Sequence, residues 1–145
     1  MDGLKTHLRS ELFWLQAVFL VSLAASLASL GLSEVLGLPP CELCWYQRIL
    51  MYPLPFIFGA ALAQKKYDIF WHAFPMVLIG MGLAAYHYAI QMSAFAANSC
   101  SPDLVACTTR QIAYFGFMTI PLGSLLAFSA IAVMLLVLRG RHQKA

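Results

Sequence analysis

Leu12-Phe-Trp-Leu-Gln-Ala-Val-Phe-Leu-Val-Ser-Leu-Ala-Ala-Ser-Leu-Ala-Ser-Leu-Gly-Leu32 contains no charged residue. A helix that crosses a bilayer needs about 20 mostly apolar residues, and this run supplies them. Three further stretches qualify. Trp45–Ala63 is apolar apart from Gln47 and Arg48 at its start, Ile69–Met92 carries His72, His87 and Gln91, and Ile112–Leu138 is uncharged throughout. All four are too long for strands and lack the alternation of a barrel strand, so helices are expected. The expected fold class is an all-α integral membrane protein: a four-transmembrane-helix bundle with spans at about 12–32, 45–63, 69–92 and 112–138, forming one domain over 1–145.

Composition agrees. The 145 residues are 61% hydrophobic and 10% charged, against roughly 45–50% and 25% in soluble domains. A fold this small leaves too much surface exposed to hide that apolar content from water. The net charge of +3 is small and dispersed, which argues against a nucleic-acid binder. Disorder is excluded by the hydrophobicity.

Small residues recur at four-residue spacing: Ala24 with Ala28, Gly59 with Ala63, Gly80 with Ala84 and Gly123 with Ala127. Such pairs let helices approach closely in lipid, so they are expected at helix contacts. Pro53, Pro55, Pro75 and Pro121 are expected to kink their helices.

The few cations set an expected orientation. Lys5 and Arg9 precede the first span, Lys65 and Lys66 join the second to the third, and Arg139, Arg141 and Lys144 follow the fourth, which places seven of nine on one side. The positive-inside rule makes that side cytoplasmic, with both termini there. Lys5 and Arg9 ahead of an apolar run ending near Ser26-Leu27-Ala28 also fit a cleavable signal peptide, though the run is longer than a usual h-region.

Two short extracytoplasmic loops result, about 33–44 and 93–111. Each holds a cysteine pair: Cys41 and Cys44 in the first, Cys100 and Cys107 in the second. Thiols outside the cytoplasm tend to be oxidised, so two disulfides are expected. Four cysteines allow three pairings, among which the sequence alone does not choose; local pairing, Cys41–Cys44 and Cys100–Cys107, is the expectation for the resting protein.

Cys41-Glu-Leu-Cys44 follows Pro39 and Pro40 and opens the second span. The positive end of a helix favours a thiolate there. Arg48 lies one turn after Cys44 on the same face, where its charge would favour a Cys44 thiolate and attract an electronegative ligand. It also suits a snorkelling interfacial role. Cys100 and Cys107 lie in Asn98-Ser-Cys-Ser-Pro-Asp-Leu-Val-Ala-Cys107, polar and proline-bearing, as expected of an exposed loop. This pair either pins its loop or reacts with another protein. A four-cysteine zinc site is disfavoured by the spacing and by the oxidising compartment, so no metal is expected. His87, in Tyr86-His87-Tyr88, is ionisable within a span and therefore a functional candidate; a hydrogen-bonded histidine in an aromatic belt is the alternative.

Pro40-Cys-Glu-Leu-Cys-Trp-Tyr-Gln-Arg48, together with the four spans and the second cysteine pair, resembles the disulfide bond formation protein B (DsbB) family of thiol:quinone oxidoreductases. The compact second loop is similar to that of short, BdbC-type members. The resemblance implies that Cys100 exchanges with a reduced, exported thioredoxin-fold partner of the DsbA or BdbD kind, with Cys107 resolving. It implies that electrons pass to Cys41–Cys44, that Cys44 reduces a quinone (ubiquinone or menaquinone), and that Arg48 and His87 bind it. The implied setting is a bacterial cell membrane, Gram-negative or Gram-positive. Two other functions fit the same features. One is a membrane interaction protein braced by two structural disulfides. The other is a vitamin K epoxide reductase-like enzyme, although that family carries its Cys-x-x-Cys near the end of its helix set.

Overall fold

In a computed structural model the chain is described at residues 2–66, 69–92 and 119–143, with side chains from Arg9 onward in the first segment. Every regular element among them is a helix: α1 Asp2–Glu34, α2 Glu42–Met51, α3 Pro53–Gln64, α4 Phe70–Met92 and α5 Ile120–His142. Three are long and apolar enough to cross a membrane: α1 from Arg9, α4 and α5.

The expected second span is divided. Pro53 and Pro55 have no N–H to donate, so the hydrogen-bond ladder lapses there. Tyr52 nevertheless keeps helical angles (φ −64, ψ −34), and its N–H reaches the Arg48 carbonyl at 2.9 Å. Two helices of 10 and 12 residues therefore replace one of nineteen, and neither is long enough alone to cross a bilayer.

The expected start of the last span also moves. Thr119 is extended (φ −104, ψ 163) and Pro121 occupies the first turn of α5, where proline is pre-organised to begin a helix rather than kink one. Residues 112–118 of the expected span lie outside the described residues; within them α5 begins at Ile120 and runs on to His142. Pro75 does lie inside a helix, in the second turn of α4.

α5 packs against α1 and α4, α3 against α1, and α2 against α4. The core they share includes Leu15, Val18, Leu54, Phe58, Val77, Phe128, Ile131 and Leu135, all with no exposed surface. Gly80 lies directly under the Phe128 ring, with no room for a Cβ, and Ala84 is buried beside it in the same core. Gly59 abuts Phe19. The other two small-residue pairs behave differently: Ala24, Ala28 and Gly123 are exposed, and with Ala127 they line a cavity instead of a helix contact. Phe13, Leu20, Ile49, Phe56, Ile79 and Val133 point outward, as lipid-facing residues do.

The helices bring like ends together. Arg141 Nη1 donates to Ser10 Oγ at 2.7 Å, and His142 Nδ1 lies 3.2 Å from Glu11 Oε1. Arg139 sits 4.4 Å from the ring centroids of both Phe70 and Trp71. The start of α1, the start of α4 and the end of α5 thus share one end of the bundle. The opposite end holds the start of α2, the ends of α1 and α4, and the start of α5.

Candidate redox site

At that opposite end the chain leaves α1, turns at Gly37 (φ 65), and enters α2 through Pro39 and Pro40. The left-handed φ suits a glycine, which has no Cβ to clash. The prolines hold the approach to α2 extended. Cys41 occupies the N-cap position with extended angles (φ −74, ψ 171), and Cys44 lies in the first turn of α2. Their sulfurs are 2.9 Å apart, both as thiols. Cys41 is buried and Cys44 half-buried.

His87 is 1% exposed. Its Nε2 lies 3.6 Å from Cys41 Sγ, and its Nδ1 lies 3.1 Å from Gln47 Nε2. Gln47 Oε1 in turn accepts from Ser124 Oγ at 2.5 Å. A continuous polar chain, Cys41–His87–Gln47–Ser124, therefore crosses from α2 to α4, back to α2, and on to α5. The Cys41 thiol is pushed up to about 12, first by its hydrogen bond with Cys44 and then by burial, with His87 pulling the other way. At neutral pH Cys41 therefore keeps its proton.

Arg48 is held by α1. Its Nε donates to Ser29 Oγ at 3.0 Å, and its Nη2 donates to the Ser29 carbonyl and to Ser33 Oγ, both at 2.8 Å. The guanidinium also lies 5.5 Å from the Trp45 ring centroid. Protein groups fix this head, which is more than a snorkelling arginine requires.

Beside these groups lies a cavity of about 530 Å³. Its walls are apolar and include small residues, Ala24, Ala25 and Ala28 on α1 with Gly123 and Ala127 on α5, beside larger ones such as Leu32, Met51 and Phe128. Its polar end is made by Ser29, Cys44, Gln47, Arg48 and Ser124, and Tyr52 lines it as well. The Tyr52 hydroxyl is buried with no partner among the described residues. A buried unpartnered hydroxyl is costly, so one on a cavity-lining residue suits a ligand acceptor. A mostly apolar cleft with a few convergent polar groups is the usual form of a small-molecule site.

Of the sequence-derived candidates, Cys41, Cys44 and His87 come together, while Cys44 and Arg48 share the cavity. His87 is not among the residues lining it; its ring nitrogens face Cys41 and Gln47 instead. Cys100, Cys107 and their pairing lie outside the described residues. Ser29, Ser33, Gln47, Tyr52 and Ser124 were not expected. Gln47 stood inside the Cys-x-x-Cys-aromatic-x-x-Arg run, and Ser29 and Ser33 show the one-turn spacing of a shared helix face.

The two sulfurs and His87 Nε2 lie within 4.8 Å of one another and offer three metal-ligand atoms. A closed tetrahedral zinc site takes four ligands and would hold two sulfurs roughly 3.7 Å apart at Zn–S distances of about 2.3 Å. The observed 2.9 Å is closer than that, as suits a pair that bonds directly.

The family model for the disulfide bond formation protein DsbB matches residues 10–138. A Bacillus subtilis relative named disulfide bond formation protein C is 39% identical over 138 residues, covering 94% of this chain and 100% of that one. A Bacillus cereus relative named probable disulfide formation protein C is 46% identical over 113 residues, covering 77% and 81%. An Oceanobacillus iheyensis relative named probable disulfide formation protein is 43% identical over 138 residues, covering 92% and 91%. No solved structure matches.

Proposed function

The chain belongs to the DsbB family, whose members generate disulfides at the membrane, and on that premise we propose that it is a protein-dithiol:quinone oxidoreductase. In this reading it reoxidises an exported thioredoxin-fold dithiol protein and passes the electrons to quinone. One observation carries the proposal: Cys44 and Arg48 line the same apolar cavity, and the second sulfur, Cys41, lies 2.9 Å from Cys44.

Cys100 and Cys107 receive electrons from the partner by thiol–disulfide exchange and pass them to Cys41 and Cys44. Cys41 keeps its proton, and Cys44 stands in the first turn of α2, where the positive end of a helix favours a thiolate. Cys44 faces the cavity. Bound there, a quinone supplies the two-electron acceptor that disulfide formation requires. Arg48, already oriented by Ser29 and Ser33, would supply positive charge to an oxygen of a quinone held in the cavity. The Tyr52 hydroxyl is available as a further donor, and the small walls of α1 and α5 admit a flat ring and an apolar tail.

The cations support an orientation in which the cysteine end is extracytoplasmic. Arg9, Lys65, Lys66, Arg139 and Arg141 all flank the other ends of the helices, which the positive-inside rule assigns to the cytoplasm. Both termini are then cytoplasmic, and α2 with α3 together form the fourth crossing.

The test mixes the purified full chain in detergent with a quinone and a reduced thioredoxin-like protein, and follows quinone absorbance. Quinone should be consumed, and Cys44→Ser or Cys41→Ser should abolish the loss. Persistence of quinone with the wild-type chain would favour the alternative in which both cysteine pairs are only structural braces. Exchange through the second pair predicts that Cys107→Ser traps a mixed disulfide through Cys100, visible on non-reducing gels.

A further inference from the structure

His87 bridges a sulfur on one side and an amide on the other, and the amide can point either way. Ser124 has one hydroxyl proton but two acceptors in range, Gln47 Oε1 at 2.5 Å and the Pro121 carbonyl at 3.0 Å. A hydroxyl donates to one of them at a time. If Ser124 donates to Gln47 Oε1, then Gln47 Nε2 donates to His87 Nδ1. The imidazole proton is then on Nε2, facing the Cys41 sulfur. If Ser124 instead donates to Pro121, a half-turn of the amide lets Gln47 Nε2 donate to Ser124 and lets Oε1 accept from His87 Nδ1–H. The Nε2 lone pair then faces the Cys41 thiol. The two arrangements differ together in the amide orientation, the acceptor of the Ser124 hydroxyl and the His87 tautomer.

We infer that His87 is the proton acceptor for the Cys41 thiol when Cys41 and Cys44 are oxidised, with Gln47 and Ser124 as positioning residues that set its tautomer. This rests on the dithiol oxidation proposed above. The need for such a group is physical. Cys41 is 5% exposed, and its thiol must lose a proton before its sulfur can bond to Cys44, yet burial screens it from bulk hydroxide. In the second arrangement the Cys41 proton passes to His87 Nε2. The resulting imidazolium donates Nδ1–H to Gln47 Oε1 and Nε2–H to the sulfur, so both of its protons are held. The S–S bond forms between Cys41 and Cys44, and two electrons leave to the quinone. His87 then releases its proton. With the proton lost from Cys44, two protons and two electrons account for the quinol. Among the described residues, the titratable groups facing His87 are Cys41 and Cys44. Arg48 is turned toward α1 and Glu42 accepts from the Tyr46 hydroxyl, while residues 120–128 of α5 carry no titratable side chain.

The test uses the full chain with Cys100→Ser and Cys107→Ser, reduced and then mixed with a decyl-substituted benzoquinone. Loss of the remaining two thiols is followed by maleimide labelling across pH. The parent should show a rate that falls toward acid. His87→Ala and His87→Gln should slow oxidation at pH 7 by about 100-fold, the lower range of general base catalysis. In the parent that limb should level off toward neutral pH; in both variants the levelling should be lost, so that the rate keeps climbing with pH, and added imidazole should partly rescue His87→Ala. Gln47→Glu should move the acid limb to higher pH, which a purely structural role would not do.

A second arm contains no quinone. In the same background carrying Cys44→Ala, iodoacetamide should alkylate Cys41 at lower pH when His87 is present than in His87→Ala. Unchanged rates and profiles in the His87 variants, or a uniform slowing at every pH, would overturn the inference. If the iodoacetamide arm succeeds while no quinone is consumed, the quinone reading fails and the role of His87 toward Cys41 stands.

Discussion

Arg48 and Arg139 occupy corresponding places at opposite ends of the bundle, and they are held in opposite ways. Both lie over aromatic rings, Arg48 over Trp45 and Arg139 over Phe70 and Trp71. For Arg139 that is the arrangement of an anchor: a cation in the last turn of α5, favoured by the helix dipole and seated on rings at a helix end. Arg48 has in addition three hydrogen bonds to α1 and a cavity beside it. A charge whose orientation is fixed by its own protein, beside a cavity, is what the proposed quinone-binding role requires. An aromatic neighbour alone does not separate the two roles; the committed guanidinium and the open volume do.

The strongest way to break this comparison is to remove chemistry from one end. Cys44→Ser should lower quinone consumption by more than about 10³-fold, as loss of a nucleophile does in enzymes. Arg139→Ala, at the other end, should leave the rate within about twofold. Equal losses from both substitutions would mean that the assay reads folding rather than chemistry. Arg48→Ala is the finer cut. A hydrogen bond to a charged group contributes about 1.5–3 kcal/mol, which corresponds to about 10–100-fold slower quinone reduction. Thiol exchange with the partner should persist, since it does not use the cavity. If quinone kinetics are unchanged, Arg48 is an anchor like Arg139.

How legible these ends were in the sequence depended on the range of the physics. α4 and the apolar part of α1 follow from uncharged length alone; the charged first turns of α1, from Asp2 to Glu11, do not. The division at Tyr52 and the start at Ile120 did not, because Pro53, Pro55 and Pro121 sit inside apolar runs whose hydropathy is blind to a missing N–H. At the site, Cys41, Cys44 and Arg48 are local to one helix start, and His87 stood out as ionisable within a span. Ser29, Ser33 and Ser124 carried no such mark. A helical serine usually turns to its own backbone, as Ser22 and Ser26 do. Whether it reaches another helix is decided only by packing. The small-residue pairs show the same limit. Spacing identified Gly80 with Ala84 and Gly123 with Ala127 alike, yet one pair is pressed under Phe128 and the other faces open volume.

That difference gives the next prediction. Gly123→Leu adds a side chain where nothing lies within 4 Å of the new Cβ. It should fill cavity, raise the KM for quinone by about tenfold, and leave thermal stability nearly unchanged. The comparison rests on a loss of about 1–2 kcal/mol of ligand contact, near the cost of misfitting a buried group. Gly80→Leu should reverse the pattern. Its Cβ meets the Phe128 ring, so the helices must part, at a cost of about 1–3 kcal/mol for overpacking. Tm should fall while KM for the surviving protein stays near wild type.

The smallest effect belongs to the anchoring end. A cation over an aromatic face at a partly exposed site contributes about 0.5–1 kcal/mol, and Arg139 touches two rings whose interaction with one another remains when it is removed. Arg139→Ala should therefore lower Tm by only about 2–4 °C, the shift expected for about 1 kcal/mol in a chain of this length. Arg139→Lys should recover part of it, since a lysine keeps the charge but loses the planar stacking. The same conservative change at the other end discriminates further. Arg48→Lys keeps the charge near Cys44 but cannot span Ser29 and Ser33 with a fixed fork, so activity should stay impaired while Tm holds. Recovery by lysine at position 139 and not at 48 would separate a cation placed for attraction from one placed for direction.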